Sequence, residues 1–464
     1  MSFRRYEAYK ESGIEWLGKV PAHWQILPLG RVTLKRCDGP FGSGLKSEHY
    51  SDDGVRVIRL QNIRENGFDG SDVAYIDELY YRTELGGHDV CAGDVLIAGL
   101  GDERNWVGRA CVAPHDIEPA MVKADCFRFR LDRTRTLPHF VAAQLTAGAM
   151  HDAGVLSSGS TRSGIPLSVM STRRLALPPV KEQLDITALL DRETAKIDAL
   201  VEEQQRLIAL LKEKRQAVIS HAVTKGLDPN APMKDSGVEW LGEVPAHWKV
   251  LSLGRVTLEK CDGPFGSGLK SEHYSEDGVR VVRLQNIREY RFDATDAAYI
   301  DDSYYRTELG GHDVSCGDVL IAGLGDERNC VGRACVAPQG IEPAIVKADC
   351  FRFRLDESRA MPHFVATQLT AGAVHDAGVL SSGSTRSRIP LSVMATRRLA
   401  LPTTKEQSDI VEFLDRETAR MAPLIAEGER AIALLQERRT ALISAAVTGK
   451  IDVRGLAPAT AEAA

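Results

Sequence analysis

Most of this chain is one sequence written twice. Residues 12–224 align with residues 236–448 at a constant shift of 224 positions and without a gap. The two copies differ at 32 of 169 positions over residues 12–180, and at 18 of 44 positions over residues 181–224. Solenoid and propeller repeats run only to about 50 residues, so a unit of this length is a duplicated domain. The chain should therefore fold as two nearly equal structures.

Each copy has a globular portion followed by a helical portion. The globular portion alternates short apolar runs, such as GVRVIRL and DCFRFRL, with glycine and proline turns, which predicts a mixed α/β domain. The helical portion, residues 181–223 in the first copy, contains neither Gly nor Pro and repeats apolar residues at helical spacing. The predicted order is a globular domain at 1–178, a long helix at 179–224, a linker at 225–235, a second globular domain at 236–402, a second long helix at 403–448 and a flexible tail at 449–464.

Both predicted helices carry a narrow apolar stripe at heptad spacing. Gln204 and Gly428 interrupt the stripe at equivalent places, while Leu200 and Leu207 supply a second heptad position. Pro423 predicts a kink or a restart in the second helix. A narrow stripe needs a partner, which is either the other helix, packed antiparallel as a coiled coil, or the helix's own domain. The stripe residues are Leu190, Ile197, Leu211, Val218, Leu414, Met421, Leu435 and Leu442.

The composition predicts a cytoplasmic protein. Hydrophobic residues make up 43% of the 464 positions, and no apolar run approaches the ~18 residues that a membrane span needs. Nine cysteines form no C-x-x-C pair, which argues against a zinc site and against a disulfide framework, so no metal site is expected. The formal net charge of −6 argues against wholesale coating of nucleic acid but allows a local basic face.

The motif GPFGSGLKS begins at Gly39 and again at Gly263. It resembles a nucleotide-binding P-loop, but Leu45 stands where that motif requires its lysine, and a polar stretch follows in place of an apolar helix. We therefore do not expect ATP here, although a glycine-rich loop can present amides to another phosphate. The chain has no motif for amino methylation, acyl transfer or zinc-dependent hydrolysis, so no catalytic residue is predicted.

Four repeated stretches resemble one known family, the specificity subunits of type I restriction-modification systems. They are SGIEWLGKVPAHW, GPFGSGLKSEHYSDDGVRVIRLQNI, SGSTRSGIP and LPPVKEQLDITALLDRETAKIDALV. The resemblance covers nearly the whole chain, and its most specific part is the LPP..EQ entry to the long helix. It implies a non-catalytic subunit whose two target recognition domains, arranged by a pseudo-twofold axis, each grip half of a bipartite site in double-stranded DNA.

The same resemblance implies the partners. Two antiparallel helices would act as a spacer and dock two modification subunits, which bind S-adenosylmethionine and methylate adenine. Separate restriction subunits would use ATP and Mg²⁺ to translocate and cut DNA. The chain itself is expected to hold no cofactor.

Polar residues in the repeated loops are the candidate DNA contacts. Phosphates receive most protein–DNA hydrogen bonds, whereas arginine and amide side chains suit base edges. The structural alternatives are strand-end capping at Gln61-Asn62, a tight turn at GLGDERN and a solvated loop at SSGSTRSGIP. The candidate phosphate anchors are Lys46, Lys270, Arg162, Arg386, Ser160 and Ser384. The candidate base readers are Gln61, Asn62, Arg104, Asn105, Gln285, Asn286, Arg328 and Asn329.

In the family the recognition domains usually differ more than the helices, and here the order is reversed. Two nearly identical domains should read the same half-site on opposite strands, which predicts an inverted-repeat target around an unread spacer. Two other interpretations stay open: a stand-alone nuclease or methyltransferase, and a coiled-coil scaffold that presents two identical ligand-binding domains. The differences that could make the halves unequal are Gly164 against Arg388, Trp106 against Cys330, and Asn66-Gly67 against Tyr290-Arg291.

Overall fold

The contacts within the chain divide it into two compact units that do not follow its linear order. The first unit contains residues 1–204 and 430–464, and the second contains residues 205–429. Each unit therefore combines one globular domain with the start of one long helix and the end of the other. The computed structural model describes residues 4–40, 44–65, 67–102, 104–156, 163–264, 269–326, 328–380 and 387–455, with backbone alone at 152–156, 163, 377–380 and 387.

Two long helices and several shorter ones occur in the described residues. The α-helices are α1 (Glu78–Glu84), α2 (Pro138–Leu156), α3 (Leu167–Thr172), α4 (Val180–Lys225), α5 (Asp302–Glu308), α6 (Pro362–Leu380), α7 (Leu391–Thr396) and α8 (Thr404–Val447). Short 3₁₀ helices lie at Leu29–Val32, Ser47–His49, Leu60–Asn62, Leu253–Val256 and Ser271–His273. Helix α8 continues through the exposed Pro423, so the predicted restart of the second helix does not occur.

The globular part of the first unit is built on two main sheets. One is antiparallel, in the order Ala110–Val112, Val95–Ala98, Cys126–Leu131 and Thr33–Cys37. The other is mixed, in the order Asp89–Val90, Ala120–Val122, Val55–Ile58, Tyr75–Ile76 and Tyr50–Ser51. Two-stranded pairs are Tyr9–Glu11 with Lys19–Pro21, Gln25–Pro28 with Arg174–Leu177, Ile63–Arg64 with Gly67–Phe68, and Leu100–Gly101 with Ser163–Gly164.

The second unit repeats this plan. Its antiparallel sheet runs in the order Thr257–Cys261, Cys350–Leu355, Val319–Ala322 and Ala334–Val336. Its mixed sheet runs in the order Tyr274–Ser275, Tyr299–Ile300, Val279–Val282 and Ala344–Val346. Two-stranded pairs are Met233–Asp235 with Glu243–Pro245, Lys249–Ser252 with Arg398–Leu401, Ile287–Arg288 with Arg291–Phe292, and Leu324–Gly325 with Ser387–Arg388.

The strand Cys126–Leu131 shows how alternation builds two cores from one sheet. Phe127 and Phe129 belong to the cluster that includes Phe140 of α2, whereas Cys126 belongs to a second cluster that includes Val122 of the mixed sheet. Successive side chains of a strand point to opposite faces, so one six-residue strand is buried on both sides. This layering confirms the predicted mixed α/β class.

Within each unit the two long helices run antiparallel. In the first unit Ile186 and Val447 share a core, and farther along the pair the Asp198 carboxylate accepts a hydrogen bond from Arg439 Nε at 3.1 Å. In the second unit Val223 shares a core with α8, and Lys212 Nζ lies 3.7 Å from the Glu429 carboxylate. Contact positions rise along α4 as they fall along α8, which confirms the antiparallel coiled coil.

The buried stripe departs from the predicted heptad in the middle of α4. Leu200 and Leu207 are 47% and 48% exposed, so the prediction that they form the seam is wrong. Buried positions instead continue from Ile197 to Ile208 and Ile219, a spacing of 11 residues. At 3.6 residues per turn, eleven residues overshoot three turns by about 20° and seven fall short of two turns by about the same angle, so the 11-residue spacing drifts around the helix more slowly per residue. Of the eight predicted stripe residues, those buried are Leu190, Ile197, Leu414 and Met421, and those half-buried are Leu211, Val218, Leu435 and Leu442.

The ends of the described chain meet in the first unit. The Asp452 amide donates to the Arg4 carbonyl at 2.7 Å, and Val453 is fully buried in the first core. The prediction of a flexible tail is therefore wrong for residues 449–455, which pack because an apolar side chain fills the core. The predicted linker 225–235 likewise ends in a paired strand, Met233–Asp235. None of the described helices is both long enough and apolar enough to cross a membrane.

Candidate nucleic-acid interface

A buried arginine joins two of the candidate loops. The guanidinium of Arg109 donates five hydrogen bonds, between 2.7 and 3.2 Å, and the side chain is 4% exposed. Burial lowers its pKa from the ordinary arginine value. The acceptors are the backbone oxygens of Leu60, Ile63, Leu100, Asn105 and Trp106. Arg109 therefore fixes the turn that carries Gln61 against the loop that carries Arg104, and Arg333 does the same in the second unit.

The loop that carries Arg104 is held by Asp102. Its carboxylate accepts the backbone amides of Arg104 at 2.9 Å and Asn105 at 2.7 Å, and these hydrogen bonds lower the Asp102 pKa. The Arg104 side chain is exposed, whereas the Asn105 amide oxygen accepts Arg64 Nη1 at 3.1 Å. The sequence alternatives were a tight turn or a reading loop, and this loop is a turn that leaves an arginine facing solvent.

Asp125, whose backbone is in the left-handed conformation, joins the glycine-rich loop to the loop that begins at Gly99. Asp125 has φ +65°, a conformation that Asp and Asn tolerate better than other side chains. Its amide donates to the Asp38 carboxylate at 2.9 Å, and its carbonyl accepts the Gly99 amide at 2.7 Å. The carbonyl of Gly99 in turn accepts the Ile165 amide at 2.8 Å. Three repeated stretches, which begin at Gly39, Gly99 and Ser157, therefore converge on one short segment.

Gly39 has a structural role that accounts for its glycine. A Cβ atom there would lie 2.0 Å from the Lys123 carbonyl carbon, so no other residue fits without moving the backbone. The adjoining Asp38 carboxylate accepts the Gly39 amide at 2.7 Å, and burial raises the Asp38 pKa to about 6. The first glycine of the P-loop-like motif thus serves a close backbone approach to a neighbouring strand end.

Lys46 lies in an exposed turn supported by aromatic packing. The His49 ring stacks on Tyr80 with centroids 4.0 Å apart, and Tyr80 Oη donates to the Gly44 carbonyl at 3.0 Å. Lys46 Nζ lies 3.7 Å from the Glu48 carboxylate. Because this ion pair is exposed to solvent it is weak, and another anion can replace Glu48 at the lysine. Lys270 has the same arrangement with Glu272 at 3.7 Å. Both lysines remain accessible to a phosphate.

Asn62 and Asn286 are corrections to the predicted reader set. Both are 0% exposed. The Asn62 amide nitrogen donates to the carbonyls of Asp69 at 2.9 Å and Asp72 at 2.7 Å, while its oxygen accepts the Arg59 amide at 2.8 Å. With both ends of the amide engaged inside the fold, the side chain cannot reach a base edge. Gln61 is exposed, and the exposed Gln285 donates to the Asp296 carboxylate.

Four predicted phosphate anchors lie outside the described residues: Ser160, Arg162, Ser384 and Arg386. The strand that follows them is described, and Gly164 pairs with Leu100 at the base of the Arg104 loop. In the second unit the equivalent Arg388 donates from Nε to the Asp349 carboxylate at 2.7 Å. This ion pair has no counterpart at Gly164, so the two units differ here.

Sequence reasoning missed a lysine beside an aromatic ring. Lys123 Nζ lies 5.8 Å from the centroid of the Tyr50 ring, and Lys347 Nζ donates to Tyr274 Oη at 3.0 Å. The first glycine of each glycine-rich loop packs against the backbone of one of these lysines. Gly39 packs against Lys123, and Gly263 packs against Lys347. No local signal marks them, because the lysine and the tyrosine are 73 residues apart. They add a basic group next to the glycine-rich loop.

The two most specific sequence motifs meet at the start of α4. The Glu182 carboxylate accepts Trp24 Nε1 at 2.9 Å and Tyr6 Oη at 2.6 Å, and it lies 2.7 Å from His23 Nε2. The next residue, Gln183, accepts the Leu137 amide at 2.8 Å. The PAHW and KEQ segments therefore fasten the long helix to its globular domain, and they are structural residues.

Comparisons with known proteins agree with this architecture. The chain is 22% identical over 447 residues to the type I restriction enzyme EcoKI specificity subunit of Escherichia coli (strain K12), covering 94% of this chain and 91% of that protein. It is 20% identical over 442 residues to the StySPI specificity subunit of Salmonella potsdam, covering 94% and 91%. No family model matches the chain.

A solved structure supports the fold independently. A chain described under "Structural basis underlying complex assembly and conformational transition of the type I R-M system" matches with a TM-score of 0.63 and 18% identity, covering 92% of this chain and 98% of that chain. At this identity the match supports the architecture of two globular domains and paired long helices. Over nearly its whole length the chain is therefore similar to the specificity subunits of type I restriction enzymes, and the solved structure supports its fold.

Proposed function

We propose that each unit reads one half of a bipartite site in double-stranded DNA, and that the two halves are inverted repeats. The observation that carries the proposal is the repeated loop cluster around Arg109 and Arg333. In each unit a buried arginine binds both the turn that carries an exposed glutamine and the loop that carries an exposed arginine, and these side chains suit adenine and guanine edges. The family resemblance and the near identity of the copies support opposite-strand reading.

Within each unit we assign two kinds of contact. Arg104 and Arg328 are the leading base readers because they are exposed, with Gln61, Gln285, Asn105 and Asn329 beside them. Lys46 and Lys270 are the leading phosphate anchors, and Lys123 and Lys347 extend the same basic edge. Arg162, Arg386, Ser160 and Ser384 are retained as further anchors on their sequence alone.

The long helices supply the second half of the proposal. They act as the spacer and dock two modification subunits, as the family resemblance implies, and restriction subunits complete the complex. S-adenosylmethionine, ATP and Mg²⁺ belong to those partners, while this chain contributes recognition without catalysis. The proposal places the chain in the cytoplasm with the DNA that it reads.

Selection from random duplexes tests the proposal. The chain, with its modification subunits, is bound to a pool of random DNA, and the retained DNA is sequenced. We expect two defined half-sites. Arg104→Ala should weaken binding by about 1–3 kcal/mol and remove the sequence preference at one base position. Lys46→Ala should weaken binding to all sequences and reduce the slope of log affinity against log salt concentration by about 1. Binding without sequence preference or salt dependence would favour the scaffold interpretation.

A further inference from the structure

The two units differ beside one hairpin, since described residues of the first unit line a cavity there and the second unit carries a tyrosine. The hairpin pairs Arg64 with Gly67 in the first unit and Arg288 with Arg291 in the second. The second hairpin carries Tyr290, whose counterpart Asn66 lies outside the described residues. A Cβ atom added at Gly67 would meet no atom within 4 Å. Gly67 is one of the described residues that line a cavity in the first unit.

Tyr290 fills this space in the second unit. Its ring packs against the cluster that contains Ile219, Ala366 and Leu414, and Tyr290 Oη donates to Gln216 Oε1 at 2.8 Å. The Arg215 guanidinium carbon lies 5.9 Å from the ring centroid. Tyr290 has φ +65°, which is strained for an aromatic residue, so the packing of its ring holds an unfavourable backbone in place.

The first unit has the same surroundings without the ring. Its described residues line a cavity of about 200 Å³. Ala142, Leu190 and Ile443 line it where Ala366, Leu414 and Ile219 stand in the second unit, and Arg439 and Thr440 line it where Arg215 and Gln216 stand. An apolar cavity of about 150 Å³ is already large enough to bind benzene. The lining is therefore of the right size and chemistry for one aromatic ring.

We propose that the first unit binds a small single-ring aromatic molecule that carries a hydroxyl group, in the place that Tyr290 occupies in the second unit. The ring would pack between α2 and the long helices, and its hydroxyl would reach the polar groups at Thr440 and Arg439. The chain itself provides the reference for the chemistry, since its second copy holds a phenol ring against equivalent residues.

Titration calorimetry of the full chain with 4-methylphenol, the side-chain analogue of tyrosine, tests the proposal. We expect saturable binding of one molecule per chain, about fivefold weaker for toluene because it lacks the hydroxyl hydrogen bond. Tyr290→Asn, which gives the second unit the residue found in the first, should raise the number of sites from one to two. Ala143 also lines the cavity, so Ala143→Leu should fill it and remove the first site.

The two variants act in opposite directions, so a folding defect cannot produce both results. Circular dichroism of each variant checks its fold, and 4-methylphenol should also raise the Tm of the unmodified chain in a concentration-dependent way. The absence of saturable binding to the unmodified chain would overturn the proposal. A number of sites that neither variant changes would overturn it as well.

Discussion

Arg109 is a buried cation whose described hydrogen-bond acceptors are all backbone carbonyls. Its five hydrogen bonds link the turn that carries Gln61 to the loop that carries Arg104. Removing the guanidinium takes one hydrogen bond from each of five carbonyls, of which those of Leu60, Asn105 and Trp106 also accept a backbone amide, and each lost bond has a net cost of about 1 kcal/mol. Arg109 is therefore a positioning residue for Gln61 and Arg104.

Arg109→Ala should destabilise the first unit by about 3 kcal/mol and weaken specific DNA binding. Arg333→Ala is the matched variant, and it should affect the second unit alone. Urea unfolding combined with hydrogen exchange measures the stability of each unit, and DNA titration measures binding. Unchanged protection at Ile63 and Leu100 in Arg109→Ala would contradict this role.

Asp38 should titrate close to neutral pH, and Gly164→Arg should change that pH. Burial raises the Asp38 pKa to about 6, and in the second unit, where burial also raises the Asp262 pKa, the charge of Arg388 opposes the increase. Because the folded pKa lies above the unfolded one, this group favours the folded state at low pH, and its contribution is lost as the pH rises through about 6. An arginine at position 164 should lower the Asp38 pKa.

Carboxyl NMR titration with aspartate labelling measures this shift, with Asp38→Asn to assign the signal. An Asp38 pKa that stays the same in Gly164→Arg would show that the arginine does not reach the site. Asp262, whose own arginine is untouched, is the internal control.

Sequence reasoning at this scale separated residue types but not their surroundings. It identified Arg104, which is exposed, because a polar turn after a buried strand must face solvent. It could not distinguish Gln61 from Asn62, since both are amides at the same strand end, and only the fold shows that Asn62 bonds to a segment seven to ten residues away. Asp125 and Lys123 were missed because their partners are distant in sequence.

Among the elements, the start of each long helix is fixed by one carboxylate, which is buried at Glu182 and half-buried at Glu406. Glu182 is within hydrogen-bonding distance of three side chains, and Glu406 is near two, His247 at 2.9 Å and Trp248 at 3.0 Å. The difference arises because the residue equivalent to Tyr6 in the second copy is Asn230.

Glu182→Ala should therefore destabilise its unit by about 2–4 kcal/mol, and Glu406→Ala should have a smaller effect. The reason is that the first change leaves one more buried hydrogen-bond donor, the Tyr6 hydroxyl, without its acceptor. Hydrogen exchange in α2 and α6 reports each unit separately. Equal losses in the two variants would indicate that Tyr6 contributes nothing to the helix start.

The existence and length of both helices could be predicted, because apolar residues recur at helical spacing on both sides of the interruptions at Gln204 and Gly428. The seam could be predicted only in part. A heptad read from Leu190 and Ile197 continues to Leu211, but burial moves to Ile208, since the stripe must follow the helix around its partner. Pro423 was overestimated as a breaker because it lies on the exposed face.

In the whole molecule, the end of each long helix packs in the unit that contains the other copy's globular domain. Gln144 donates to the Val447 carbonyl at 2.6 Å in the first unit, and Gln368 donates to the Val223 carbonyl at 2.5 Å in the second. The first pair is separated by 303 residues. The repeat predicted two equal domains, but such distant contacts have no local pattern, so the sharing of helices could not be read from the sequence.

The meeting of Arg4 with Asp452 makes a circular permutant feasible. A chain that joins Gly455 to Arg4 through a short Gly-Ser linker and opens after the exposed Pro229 should fold and keep the same DNA specificity. Its helix content by circular dichroism and its selected DNA motif are the measurements. Loss of the folded state in this permutant, with the linker lengthened as a control, would contradict the close approach of the ends.

The two nearly identical units are expected to read the same half-site on opposite strands. Base-resolved methylation mapping of DNA from cells that express this chain with its modification subunit tests it most directly. We expect a bipartite methylated motif whose halves are reverse complements of one another around an unread spacer. A motif with unrelated halves, or no new methylation with a bound and active modification subunit, would contradict it.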